Sequence, residues 1–191
     1  MNEQRNPQLR LLRGGRNGSL IGPLRVIAAP PEEPPFAVAA TVVEEDTWLV
    51  LSAEPEINLP ADHPVRIMTE LLEAEPLAPG SVVAGSKAPL QLLAVVYDLG
   101  KEPICRTEWV ASALGEVFRI AEERNISALA LPLLGVRHGR LPVPVFVDIF
   151  ANSIRDTPLR HLRKVWLSVE AELTREVRSL LEAHASPRME K

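Results

Sequence analysis

The most constraining feature of this chain is the regular alternation of helix-period and strand-period apolar patterns after residue 106. Val110, Leu114, Val117, Phe118 and Ala121 fall on one stripe at helical spacing, with Thr107 placed to cap the start and Asn125 suited to the end. Ile126 to Leu131 is a continuous apolar run of strand length. A helix is predicted over roughly Val145 to Ile154 and a strand over Val165 to Val169. A last helix turns Leu173, Val177, Leu180 and Leu181 inward. Strand, helix and strand joined by short connections form crossover units, and crossover units build a largely parallel sheet.

The first half is less regular. Leu20-Ile21 with Leu24 to Ile27 predicts a short hairpin, and the prolines of Pro30 to Pro35 exclude helix or central strand. Residues 1–35 are therefore read as an N-terminal extension with a linker, residues 36–184 as the main domain, and 185–191 as a tail. Phe36 to Val43 predicts a strand, Glu44-Glu45-Asp46 a turn, and Thr47 to Ser52 a second, more buried strand. Pro64 suits the first position of a helix running to Glu73. Pro79-Gly80 turns the chain, and Leu92 to Leu99 has the character of a central strand. Trp48, Trp109 and Trp166 lie in apolar patterns and are expected in the core.

Composition narrows the function classes. No apolar run approaches the roughly 20 residues that cross a bilayer, and no secretory leader pattern opens the chain, so a cytoplasmic location is expected. Cys105 is the single cysteine, which excludes an internal disulfide and a thiolate metal cluster. The four histidines (63, 138, 161 and 184) have no metal-ligand spacing, and neither metal nor cofactor is expected. The net charge of −4 offers nucleic acid no general attraction. Arg5, Arg10, Arg13, Arg16 and Arg25 form a basic stretch without acidic residues, read as a solvated arm or a contact for an acidic partner. It lacks the aromatic residues that stack bases. His161, in a basic turn, is expected to be solvated, and Cys105 to be buried and inert. Gly85-Ser86-Lys87 lacks the preceding glycine of a phosphate-binding P-loop.

Ile126 to Pro142 carries the chemistry. A hydrophobic strand runs into a loop holding Gly135 and Gly139, and the loop enters a helix. Such a junction aims backbone N–H groups and the positive end of a helix dipole beyond the sheet edge, where an anion can sit. Alone, two glycines are equally the mark of an ordinary strand-to-helix turn.

This segment resembles the macro domain family. Ala121 to Ile126 is similar to the family's helix end, and Pro132-Leu133-Leu134-Gly135 to its strand end and glycine loop. Pro79 to Leu90 is similar to its turn and short strand, and Thr47 to Ala53 stands in the place of its first buried strand. The resemblance covers roughly residues 36–184. It implies a three-layer α/β/α sandwich around a mixed, largely parallel sheet, and a loop that holds the diphosphate of ADP-ribose. The implied ligand-binding residues are Gly135, Val136, Arg137, His138, Gly139 and Arg140, with Ser52, Ala53 and Glu54 at the distal ribose.

The departures are substantial. Arg137 stands where the family's loop has a glycine, and Arg140 where it has a small residue. Leu51 to Glu54 holds none of the asparagines expected near the ribose, and Asp62 to Val65 none of the expected glycines. Bulk and acidic charge there oppose a flat-lying diphosphate, whereas Arg137 and Arg140 offer charge-assisted hydrogen bonds. The expected function is binding of a phosphorylated or nucleotide-like small molecule with altered specificity. The alternatives are a non-catalytic protein-contact domain, with homodimerisation among its forms, and an ADP-ribosyl hydrolase, which the missing residues disfavour.

Overall fold

A computed structural model describes residues 18–51, 75–85 and 89–185. Seven strands form one sheet: β1 (Ser19–Ile21), β2 (Leu24–Ala29), β3 (Ala40–Asp46), β4 (Val82–Ala84), β5 (Leu90–Tyr97), β6 (Ala128–Pro132) and β7 (Lys164–Ser168). Their order is β1-β2-β7-β6-β3-β5-β4, with antiparallel hairpin partners only at the two edges. Among the described residues three helices accompany them: α1 (Thr107–Glu123), α2 (Val143–Asp156) and α3 (Thr174–His184). The architecture is the expected α/β sandwich on a mixed, largely parallel sheet.

Alternation along the strands decides which face is which. Val26, Ala28, Ala40, Val42, Leu92, Ala94, Val96, Leu129, Leu131, Val165 and Leu167 point to one face and join the stripes of α1, α2 and α3 in a single core. The α1 stripe is buried as its spacing requires, and Phe118 meets Phe150 at 6.1 Å between ring centroids. Each such side chain contributes about 1.5–3 kcal/mol by leaving water. The opposite face carries a smaller cluster in which Phe36 and Val38 pack on Ala29, Ala130 and Trp166.

Several expectations change in the structure. The hairpin forms as expected and is the edge of the sheet: β2 pairs in parallel with β7, and Ile21 and Leu24 are fully buried. Arg25 is a strand residue whose N–H donates to the Arg163 carbonyl, not a link in a solvated arm. Glu44-Glu45-Asp46 is not a turn but the end of β3, and Thr47 to Leu51 is not a strand but the turn that follows it. The reason is hydrogen bonding. Asp46 Oδ1 accepts from the N–H groups of Trp48 (2.7 Å) and Val50 (3.3 Å), and Glu45 Oε2 accepts from Leu51 N–H. These bonds offset part of the cost of burying the two carboxylates, although Asp46 Oδ2 is buried without a partner among the described residues. The turn pushes its apolar residues outward, so Trp48, expected in the core, is 51% exposed. Thr107 is the first helical residue and no side chain caps α1, whereas Asn125 takes the left-handed φ of +55° that ends it. The predicted helix from Pro64 to Glu73 lies outside the described residues.

Candidate functional site

The carboxyl ends of β3, β6 and β7 meet at one edge of the sheet, and a cleft opens there. It has two chambers. One, of about 390 Å³, extends over Thr41 and Val43 of β3, Ala130 of β6 and Trp166 of β7. The other, of about 450 Å³, reaches past Pro31 to Val169, Glu170 and Leu173. Glu44, Pro132, Arg137 and Ser168 border both.

The loop after β6 supplies the rim. Arg137 and His138 are exposed and border the cleft, and Arg137 forms no ion pair among the described residues. Val136 borders the second chamber. Gly135 and Gly139 pack closely against Cys105. A Cβ at Gly135 meets Cys105 Sγ at 2.8 Å, and one at Gly139 meets the Gly135 carbonyl oxygen at 2.7 Å and collides with Cys105 Cβ. The glycines therefore let the loop lie against Cys105. Gly135 also takes φ +79°, which L side chains rarely adopt. Arg140 has a positive φ of +54° and borders neither chamber. Ser52, Ala53 and Glu54 lie outside the described residues.

The loop is tied to the sheet through one carboxylate. Gly135 N–H donates to Glu44 Oε1 at 2.6 Å, and the Tyr97 hydroxyl donates to the same oxygen at 2.8 Å. The His138 ring stands edge-on to Tyr97, 5.8 Å between centroids. Burial pushes the Glu44 carboxyl above its ordinary 4.5, against the lowering pull of the Tyr97 and Gly135 bonds and of the neighbouring His138 and Arg137. Burial, with the Glu44 charge beside it, raises the Tyr97 hydroxyl far out of the physiological range. The same causes lift the Cys105 thiol to about 11, so it is the inert, buried thiol expected. No cluster of metal-ligating groups occurs among the described residues. No helix among them is long and apolar enough to cross a membrane.

No protein-family model matches the sequence, and no curated protein matches it. Solved structures do. The chain superposes on a point-mutant form of the Oceanobacillus iheyensis macrodomain with TM-score 0.63 and 14% identity, covering 91% of this chain and 96% of that one. The same macrodomain with ADP gives TM-score 0.61 and 14% identity over 86% of this chain and 91% of that one. The macro domain of ganglioside induced differentiation associated protein 2 gives TM-score 0.57 and 14% identity, over 84% of this chain and 86% of that one. This chain has a macrodomain fold. Within the macrodomain frame, the first buried parallel strand after the hairpin is Ala40–Asp46, not Thr47 to Ala53 as the sequence suggests. The sequence singles out Arg137 and His138, which border the cleft, but not Glu44, which borders it too, nor Tyr97, which bonds to Glu44. The available signal was an acidic residue at the end of an apolar run, which only a buried bonding partner explains.

Proposed function

We propose that this macrodomain binds a phosphorylated, nucleotide-like small molecule in the cleft, with Arg137 and His138 meeting its anionic group. One observation carries the reading: a two-chambered cleft at the carboxyl ends of three parallel strands, with an uncommitted guanidinium at the junction of the chambers. Crevices at that edge are where α/β sheets hold ligands. Structures of this fold carry ADP in the Oceanobacillus iheyensis and Trypanosoma brucei proteins. Binding without hydrolysis fits better than catalysis, because residues 36–51 contain none of the asparagines that the resemblance places beside the distal ribose.

The test is calorimetric titration of the full chain with ADP-ribose and ADP, beside Arg137→Glu. Saturable binding is expected, weakened at least about tenfold in the variant, the worth of one charge-assisted hydrogen bond. A folded protein that takes up neither ligand sinks the reading.

A second reading, a protein-contact domain that includes the homodimer, draws on one feature. Trp48, Val50 and Leu51 present an apolar surface next to the cleft, 51%, 55% and 39% exposed. It predicts self-association that Trp48→Ser abolishes, measured by analytical ultracentrifugation.

A further inference from the structure

Glu44, near the carboxyl end of β3, is half-buried and borders both chambers of the cleft, as Arg137 does. Its carboxylate accepts the Gly135 amide and the Tyr97 hydroxyl on the same oxygen, Oε1. A proton taken up on Oε2 leaves both bonds in place. Little around Glu44 balances its charge. In the loop after β6, the Arg137 guanidinium and, when protonated, the His138 ring favour the ionised carboxylate, yet neither forms an ion pair with it. The remaining titratable groups near it, among the described residues, are neutral or acidic. Tyr97 on β5 stays protonated, as does Cys105 ahead of α1, whose thiol is pushed up to about 11. Glu170, after β7, lines the second chamber together with Glu44. On the same strand Glu45 and Asp46 are acidic too, and their carboxylates accept amides of the turn that follows.

An anion that enters the cleft at Arg137 changes this balance twice. It brings a second negative charge into a cavity that Glu44 already lines. It also draws to itself the guanidinium field that favours the ionised carboxylate. Both effects favour the protonated carboxyl, because two like charges that share a cleft disfavour each other. We propose that the cleft takes up its anionic ligand together with a proton from solvent, and that Glu44 is the group that holds this proton. The inference rests on the binding reading above and adds its regulation: affinity for the anion rises with acidity. Burial already holds the free carboxyl above its ordinary 4.5, so the response falls in the weakly acidic range. Above that range the ionised Glu44 opposes the ligand, and below it the neutral carboxyl does not. By linkage, proton and anion tighten each other's binding by the same factor.

The probe is ADP-ribose, whose phosphates are both esterified and so lack the second ionisation that phosphate monoesters have near about pH 6. Calorimetric titrations of the full chain and of Glu44→Gln run in steps from about pH 8 down to about pH 5. Glutamine is a neutral isostere of the protonated carboxyl. His138 is common to both proteins, so its own titration drops out of the ratio of their affinities. Glu44→Gln is expected to bind about tenfold tighter at the alkaline end, and the two affinities are expected to converge at the acid end. A ratio that is constant across the range, or close to one throughout, overturns the inference. A second measurement needs no variant. In carboxyl-carbon NMR of the wild-type chain, saturation with ADP-ribose is expected to move the Glu44 midpoint up by about one pH unit, the same tenfold seen from the proton's side. An unmoved midpoint overturns it as well. Either failure beside ADP-ribose binding that Arg137→Glu weakens rejects this inference alone. Absence of binding by both proteins at every pH rejects it together with the binding reading.

Discussion

A carboxylate gathers backbone amides at each end of the sheet, and the two do opposite things. At the amino-terminal end, Glu122 near the close of α1 accepts from the N–H groups of Arg160, His161 and Leu162, the turn that leads into β7. At the carboxyl end, Glu44 accepts from Gly135 in the loop that leaves β6. Burial raises Glu122, but the three amides and the His161 ring outweigh it and hold the carboxyl at about 2. Glu44 has one amide and a neutral hydroxyl, and there burial wins. Depth of burial and number of donors together decide the sign: Glu44 is the more deeply buried and has the fewer donors. Glu122 is a clamp on a turn, whereas Glu44 holds a loop and borders the cleft.

Substitutions at three positions break or sharpen this contrast. The largest effect is expected at the loop that Glu44 holds. Gly139→Ala puts a methyl group against Cys105 and the Gly135 carbonyl, and should cost about 3 kcal/mol in urea unfolding. A loss under about 1 kcal/mol means that the loop yields and does not fix Gly135 against Glu44.

Next comes the clamp. Glu122→Ala strands three amides and should cost about 1–2 kcal/mol. The depressed carboxyl also fixes a pH dependence. Glu122 contributes stability that is fully present above its ordinary 4.5 and is lost as pH falls from there toward about 2. Glu122→Gln should remove that part of the acid limb in thermal melts, and an unchanged acid limb contradicts the clamp. The smallest effect is expected from Glu44→Gln on stability. A raised carboxyl costs stability in full above the raised value, and the cost shrinks as pH falls from there and is gone below its ordinary 4.5. The variant should therefore be at least as stable as the parent at pH 7 and show a flatter profile through the weakly acidic range. A variant clearly less stable at pH 7 shows that Glu44 is a second clamp.

How much of this was legible depended on range. The elements from Thr107 onward were readable because each is defined by its own periodicity, and the rule of short crossovers then ordered them. The region around β3 was misread because Glu44, Glu45 and Asp46 break an apolar run in the way a turn does. Their bonds go to Tyr97 and Gly135, 53 and 91 residues away, and to amides of the turn that follows. No local pattern announces such partners. Arg137 and His138 were readable as residues of a glycine loop. The loop's glycines also accommodate Cys105, a packing demand that a one-dimensional pattern does not contain.

The parallel pairing of β2 with β7 joins residues far apart in the chain, Arg25 with Lys164 and Ala29 with Ser168. Val169 N–H and the Trp166 indole both donate to the Ala29 carbonyl, and Arg178 reaches the Ala28 carbonyl. On the ribosome, the hairpin leaves the exit tunnel long before any of these partners is made. Its apolar inner face must wait, uncovered, for almost the whole of synthesis. Assembly of this edge is thus a late, non-local event, slow by the measure of contact order and exposed to aggregation until it is complete. Truncation upstream of β7 would leave not a smaller domain but an open sheet edge, a substrate for chaperones.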